Sequence, residues 1–402
     1  MQAAEHPNIP KSHRKKVQKI VSPKIRDWLG DWKAIDANID LAESLQFRSQ
    51  LLDSDGRDLI INWFVCDWYG AFSQNPRRKT IGLGKIFHYY WERFHTSLDR
   101  NPIYFHHHSE PFNGATHHPC RNWSNTNSHI VKLSHNLLEY GHYSSCARSP
   151  IMAPDINLWL EQYFPFDLSN RAAPFDGQPD IELRRFADWY HAPNDWSLYR
   201  PSFNDYQRAG ELKRTIGRCL QLGSRYGNLD EPEIKKGFDR AREHGNAMIS
   251  CHVHDHSPLE KCADTFTLIK RVAANYPDVR FVNASAAKAF RKVSGAPVVG
   301  RPELNISLKN NTLVIRSEKP LWGAQPWFCF KTACGNILWD NLDILEPGNW
   351  RYIFDIFTYP LESIERFAVA ANDAAGQTVT SVSRIRRSKI TETRTRIFDT
   401  AV

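Results

Sequence analysis

Two apolar stretches that each run into closely spaced histidines constrain the fold of this chain more than any other part of its sequence. Residues 103–111 read IYFHHHSEP, and residues 247–256 read AMISCHVHDH. In each stretch the apolar run predicts a buried strand, and side chains alternate between the two faces of a strand. We therefore expect a scaffold that brings the ends of two strands, each carrying histidines, to one cleft.

This alternation sorts the histidines by face. His106 and His108 share one face of the first strand, and His107 points to the opposite face. His252 and His254 share a face of the second strand. Two imidazoles on one face at the end of a strand can hold one metal ion or flank one substrate. The alternative is that all five are structural groups satisfied by hydrogen bonds.

Strand and helix patterns alternate between residues 55 and 293. Residues 59–66 form a nearly continuous apolar run, which is typical of a strand buried on both faces of a parallel sheet. Helical spacing follows at 84–98 and precedes the first histidine strand, so the order indicates a βαβ unit. Further helices are predicted at 128–141, 155–163, 231–244, 258–275 and 285–293, and further strands at 164–170 and 280–285.

The alternation of helix and strand patterns stops at residues 294–303, a stretch that contains glycine and proline and that we interpret as a domain boundary. Beyond it, several short strand patterns separated by turn residues predict a small β-sandwich. The predicted organisation is a basic tail with N-terminal helices at 1–54, an α/β domain at 55–293 and a β-domain at 300–402.

The net charge of +8 is located at the two ends of the chain. Residues 1–20 carry five Lys or Arg against one Glu, and residues 381–402 carry six against two acidic residues, so each end contributes +4. The body is therefore formally neutral, and we expect no nucleic-acid partner. Both ends are predicted to be solvated and disordered.

The sequence also bears on location. No run approaches 18 apolar residues, so no transmembrane segment is expected. The N-terminal stretch is polar and lacks the apolar core of a signal peptide. The eight cysteines form no CxxC pair, which favours reduced thiols and a cytoplasmic location.

Asp67 follows the apolar run 59–66, at the carboxyl end of a buried strand, where α/β proteins place their chemistry. With His106 and His108 it would form a site for Zn²⁺, with Co²⁺ and Ni²⁺ as other choices. Three protein ligands leave a position for a water molecule, whose pKa then falls to ~7. Alternatively, Asp67 caps the segment that follows it. Arg148 would bind a carboxylate or substrate, or else form a surface salt bridge.

Four segments of the chain resemble the NodB-type polysaccharide deacetylases, in the divergent branch found in bacterial surface-polysaccharide loci. They read FVCDW at 64–68, FHHHSEP at 105–111, RSP at 148–150 continuing to FDLS at 166–169, and CHVHD at 251–255. The resemblance covers roughly residues 60–285. It implies a distorted (β/α)7 barrel that hydrolyses N- or O-acetyl groups on sugars with a divalent metal ion.

The resemblance also implies roles for individual residues. Asp67, His106 and His108 would be the metal ligands. Arg148 would support the base, and His252 or His254 would be the late acid, with Asp255 beside them. The residues expected to bind substrate are Trp68, Glu110, Tyr199 and Arg200.

The chain departs from the family pattern in three respects. Cys66 stands where the base Asp is expected. The histidines are spaced i, i+2 rather than more widely. The run 59–66 is either the first or the second strand of the barrel, and in the second case Asp67 is not the metal ligand.

Two classes of function follow. The first is a metal-dependent hydrolase that removes acyl groups from sugars of a bacterial surface polysaccharide. The second is a catalytically inactive relative that binds glycan or acts as a scaffold in polysaccharide biosynthesis. A glycoside hydrolase is a third option and would need two carboxylates about 5–9.5 Å apart. The partner in every case is a polysaccharide or oligosaccharide, and the oligomeric state stays open.

Overall fold

The computed structural model describes residues 33–67, 82–107, 127–149, 152–172, 189–223, 228–255 and 257–400. Its N-terminal helices are α1 (Lys33–Glu43) and the short α2 (Leu45–Arg48), which lie within the predicted helical stretch 24–53. The predicted mobile N-terminal tail lies outside the described residues.

A parallel five-stranded sheet is the centre of the first half of the chain. Its strands stand side by side in chain order, and helices connect them on one face. The strands are β1 (Trp63–Cys66), β2 (Ile103–His106), β3 (Cys146–Arg148), β4 (Phe166–Asn170) and β5 (Thr215–Arg218), and the helices are α3 (Lys85–Phe94), α4 (Ser128–Tyr140) and α5 (Pro154–Tyr163). The prediction of a mixed α/β fold is therefore confirmed at this level.

A second, two-stranded parallel sheet continues this arrangement. It pairs β6 (Leu220–Gln221) with β7 (Cys251–His252), and the helices α6 (Glu231–His244), α7 (Glu260–Ala273) and α8 (Ala286–Ser294) complete this half. The helix predicted at 128–141 corresponds to α4, and Gly141 ends it in the left-handed conformation at φ 64°, as expected of a C-terminal cap.

Both faces of the five-stranded sheet are buried. On the inner face, Tyr104, Cys146 and Phe166 pack against Phe290 of α8. On the outer face, Val65 and other residues pack against α1, α3, α4 and α5. Burial on both sides explains the continuous apolar sequences of β1 and β2. In β4 the buried Asp167 is an exception, and it is paired with Arg214.

The second half of the chain is a two-sheet antiparallel sandwich. One sheet has the strand order β11-β10-β14-β15-β16 and the other has the order β12-β13-β9-β8. The strands are β8 (Asn305–Lys309), β9 (Thr312–Arg316), β10 (Trp327–Thr332), β11 (Ile337–Trp339), β12 (Asp343–Glu346), β13 (Asn349–Ile353), β14 (Ile364–Asn372), β15 (Thr378–Arg386) and β16 (Lys389–Phe398). The prediction of a C-terminal sandwich-like region is confirmed.

The larger sheet of the sandwich has a hydrophobic core on each face. Phe328 and Phe330 face the second sheet, whereas Trp327 and Cys329 pack into the core formed by α4 and α5. The amide of Asn372 ties the two halves together by donating to the carbonyls of Ser144 and Tyr163 at 2.9 and 2.8 Å. The sandwich and the α/β half thus share a core. The boundary at 294–303 stays a prediction.

The expectation that residues 381–402 are disordered is wrong. They include the end of β15 and all of β16, which pairs along β15 as an edge strand. Beyond β16, the half-buried carboxylate of Asp399 accepts hydrogen bonds from the hydroxyls of Tyr104 and Ser145 at 3.0 and 2.9 Å. The basic side chains of this stretch lie on an exposed edge strand, where charge discourages pairing with another chain.

Two further details differ from the sequence predictions. Residues 280–285 are not a strand, although Phe281 accepts a backbone hydrogen bond from Ser54 at 3.0 Å. The strands β3 and β5 were not predicted, because each has only three or four residues and contains arginine or glycine. Within the ranges that the structure describes, no helix has the length and apolarity needed to cross a bilayer.

Candidate functional site

The register of the parallel sheet fixes which side chains meet at its carboxyl edge. Cys66 pairs with His106, and His106 pairs with Arg148. Residues in register on neighbouring strands point to the same face, and these three continue the inner face of Phe64, Tyr104 and Cys146. We call Cys66, His106, Arg148, Cys219, His252 and His254 the inner cluster.

The hydrogen bond made by His106 fixes its tautomer. Its Nδ1 lies 2.6 Å from the carbonyl oxygen of Arg148, which can only accept, so Nδ1 carries the proton. The lone pair of the ring is then on Nε2. This is the form of histidine that binds a metal ion or accepts a hydrogen bond from a hydroxyl group.

His252 is held as a neutral imidazole. The Nη2 atom of Arg148 lies 2.9 Å from Nε2 of His252 and 3.3 Å from Nδ1. A guanidinium only donates, so Nε2 is the acceptor, and Nδ1–H is directed at the sulfur of Cys219, 3.4 Å away. Burial, followed by the positive charges of Arg148 and Arg171, holds the pKa of His252 well below its usual value. In this neutral state His252 is not the imidazolium that a late acid needs to be.

His254 stands at the exposed rim of the inner cluster. Its ring centre is 6.0 Å from that of His252, and the side chain is exposed. The intervening Val253 instead packs among the hydrophobic residues around α7. Residues 252 and 254 therefore point the same way, as the alternation in the sequence predicts.

The opposite face of the same edge carries an outer cluster, formed by Asp67, His107, His129 and Lys132. All four are buried, with exposures of 3%, 1%, 3% and 2%. The Lys132 ammonium lies 3.4 Å from Nδ1 of His107, and the ring centres of His107 and His129 are 5.5 Å apart. Asp67 Oδ1 accepts from the backbone N–H of Phe87 at 3.4 Å.

Burial shapes the titration of this outer cluster. It raises the pKa of Asp67 to about 6, against the opposing effect of the Lys132 charge. Burial and the charge of Lys132 together lower the pKa of His129 to about 3. His129 is therefore neutral at physiological pH, and the pKa of Asp67 lies close to physiological pH.

The structure does not bring together the predicted metal ligands. Asp67 and His106 face opposite sides of the sheet, because Cys66 rather than Asp67 stands in register with His106. His108 lies outside the described residues. In the described part of the chain, no group of three or more His, Cys, Asp or Glu side chains is arranged to hold a metal ion. Asp67 and His106 therefore do not share a face of the sheet, and the part of the predicted centre that depends on His108 stays a prediction.

The remaining predicted residues lie elsewhere. The carboxylate of Asp255 accepts a hydrogen bond from the hydroxyl of Tyr90 on α3. Tyr199 is buried in the core beside α4 and α5, donates to the carbonyl of Tyr206 at 2.7 Å, and is followed by an exposed Arg200. Asp255 and Tyr199 therefore bond to residues outside the inner cluster. Trp68 and Glu110 lie outside the described residues.

Three residues in or near the two clusters were not predicted. Cys219 follows β5, a strand too short to recognise, and Arg171 follows β4. Both residues could have been found by extending the alternation of side chains between the two faces of the sheet past the end of each strand. Lys132 lies in the middle of α4, where a lysine normally indicates a solvated position, and the sequence contains no sign of its burial.

No family model, no curated protein and no solved structure matches this chain.

Proposed function

We propose that this chain is a glycan-binding relative of the polysaccharide deacetylases, in which the carboxyl edge of the sheet binds a polysaccharide or oligosaccharide without the family's Asp–His–His metal centre. The observation that carries this proposal is the register of Cys66 with His106. A thiol occupies the place on the inner face where a hydrolase of this type needs its carboxylate, and the carboxylate of Asp67 points to the outer face.

We further propose that the α/β half is the distorted (β/α)7 barrel of that family. The chain-order arrangement of β1 to β5 supports this, since each strand adds to the same edge. The inter-strand hydrogen bonding then passes from β4 to β7 at Cys219. The residue after Cys219, Leu220, donates its N–H to the carbonyl of Ser250, just before β7, at 3.1 Å. Asn62, just before β1, meets the segment leading into α8, because its side chain accepts from Ala286 N–H at 2.7 Å.

The chemistry of the inner cluster favours binding over catalysis. General acid–base catalysis needs one group that accepts a proton and one that gives it. His252 is neutral and its Nε2 already accepts from Arg148. The described part of the inner cluster contains no carboxylate. The nearby carboxylate of Asp167 lies beside α5, where it pairs with Arg214 at 3.1 Å. The same lack of a carboxylate pair disfavours a glycoside hydrolase.

A metal-dependent acyl-sugar hydrolase is the second candidate, and one observation favours it. The Nδ1 of His106 bonds to a backbone carbonyl, which is the arrangement that orients metal-binding histidines. If a metal is bound, His106 and His254 are the described residues with suitable nitrogen atoms, and Zn²⁺, Co²⁺ or Ni²⁺ would suit them. The cytoplasmic location and the role in surface-polysaccharide biosynthesis stay predictions.

The test compares metal content with glycan binding in the full-length protein as purified. We expect substoichiometric divalent metal by plasma mass spectrometry and retained binding on an array of bacterial polysaccharides. His106→Ala should lose glycan binding, and His107→Ala is the matched control one residue away that should keep it. A stoichiometric metal ion that disappears in His106→Ala and His108→Ala would instead establish the hydrolase.

A further inference from the structure

The guanidinium of Arg148 differs from every other buried arginine that the structure describes. Arg48, Arg214 and Arg218 are each 0–1% exposed and each forms an ion pair with a carboxylate. Arg148 is 7% exposed, and the described residues offer it no ion pair. It donates to a neutral imidazole, and its Nε–H has no hydrogen-bond partner among the described atoms.

The surroundings do not supply the missing negative charge. Asp167, whose charge reaches Arg148, is engaged by Arg214 at 3.1 Å. A second cation, Arg171, lies close enough to His252 to lower the pKa of that histidine. Among the described residues, the guanidinium of Arg148 therefore lacks a carboxylate counter-ion. A buried charge without a counter-ion is unfavourable, so a ligand that brings a negative group would be strongly favoured there.

We propose that the inner cluster binds the carboxylate of an acidic sugar, held side-on by Nε and an Nη nitrogen of Arg148. The planar guanidinium matches the two oxygens of a carboxylate and donates two parallel hydrogen bonds to them. Nε2 of His106, which carries the lone pair, accepts a hydrogen bond from a neighbouring sugar hydroxyl. This inference rests on the proposed glycan-binding site and names the class of its ligand.

The direct test is calorimetry of the full-length protein with D-glucuronate and with D-glucose. Two charge-assisted hydrogen bonds should make glucuronate bind about 100-fold more tightly than glucose. Arg148→Met should remove that difference, lowering the affinity for glucuronate to that for glucose. Acetate tests whether the carboxylate binds without the sugar. Glucose 1-phosphate and inorganic phosphate test whether a phosphate serves equally well, and equal binding by either would overturn the assignment of a carboxylate.

Arg218→Met is the matched control, since it removes another buried arginine that lies outside the inner cluster. Arg218 pairs with Oε2 of the buried Glu233 at 2.5 Å, so its loss leaves that carboxylate with Lys236 as its ion-pair partner and should lower the melting temperature. Arg148→Met removes an unpaired charge and should leave the melting temperature equal or higher in buffer free of carboxylates. A large fall for Arg148→Met would show that the guanidinium already has a counter-charge in the free protein, and would overturn the inference.

Cys66→Asp gives an independent variant, because residue 66 lies on the same face as Arg148, in register with His106 between them. A carboxylate built into the protein at this position should occupy the guanidinium and abolish the preference for glucuronate. If glucose and glucuronate bind equally in the parent protein and in Arg148→Met, the inference fails while glycan binding stands. If neither sugar nor any polysaccharide binds, both proposals fail.

Discussion

The inner and outer clusters lie at the same edge of the same sheet, one residue apart along β1 and β2, and they are built differently. Asp67 and His107 of the outer cluster are closed off beneath α3 and α4, at 3% and 1% exposure. Cys66 and His106 of the inner cluster are only half-buried. Adjacent histidines thus have different environments, and access to solvent, not residue type, distinguishes the packed His107 from His106, for which we propose a binding role.

The two clusters also differ in charge. The outer cluster contains an acid and a base, Asp67 and Lys132, whose charges interact inside the protein. The inner cluster contains Arg148 and three histidines, and its described part contains no carboxylate. A balanced buried cluster needs no further group, whereas an unbalanced one is stabilised by a ligand of opposite charge.

The largest expected effect comes from His107→Ala. The His107 ring is buried, stacks on Phe105 with ring centres 6.2 Å apart, and lies against His129. Removing it leaves a cavity, and we expect a loss of about 2–4 kcal/mol in the free energy of unfolding by urea denaturation. Glycan binding by the folded fraction should persist.

His106→Ala is the matched control for stability. It removes one hydrogen bond to a backbone carbonyl from a half-buried position, so it should cost only about 1 kcal/mol while abolishing binding. If His107→Ala abolished binding and His106→Ala were the more destabilising, the roles of the two clusters would be reversed.

Asp67→Asn should have the next largest effect, and it should be stabilising. The pKa of Asp67 is about 6 in the folded protein against an ordinary value of 3.8, so the folded state takes up a proton between those values. Stability is then full near pH 4 and falls as the pH rises through 6. The asparagine variant avoids that fall, and we expect it to be more stable than the parent by about 1–3 kcal/mol at pH 7.5.

Melting curves of the parent and Asp67→Asn from pH 4 to pH 8 check this expectation. The gain should disappear towards pH 4, where the parent carboxyl group is already protonated. A variant that is less stable at pH 7.5 would show that the Asp67 charge is needed, either by Lys132 or by a bound metal ion, and would remove the contrast between the clusters.

The sequence predicted the separation of His106 from His107 because the two-residue period of a strand is intrinsic to its backbone. It placed Asp67 with His106 because the run 59–66 is apolar on both faces and offers no alternation from which to read its register. A shift of one residue in the register changes which side chain of β1 lies beside His106, and only the pairing of β1 with β2 fixes that register.

Other features depend on tertiary contacts that composition does not reveal. The basic stretch after residue 381 matches the composition of a solvated tail, yet pairing with β15 orders it as β16. Lys132 is 2% exposed because α4 is covered on two sides, by the parallel sheet and by the sandwich. The long strand and helix patterns were predictable, whereas β3, which carries Arg148, and β5, which precedes Cys219, were not, because each has only three or four residues.

The smallest expected effect belongs to His254→Ala, and it tests whether the inner cluster binds only or also catalyses. His254 is exposed, so truncation should change the free energy of unfolding by no more than about 0.5 kcal/mol. Its ring lies 6.0 Å from that of His252, at the rim of the inner cluster, and its loss should weaken glucuronate binding by only about threefold, far less than the loss of Arg148.

A late acid behaves differently, because its removal slows turnover by a factor of ~10²–10⁴ and leaves binding intact. Release of acetate from acetylated oligosaccharides by the parent protein, abolished in His254→Ala at unchanged affinity, would therefore establish the hydrolase and make the inner cluster a catalytic site.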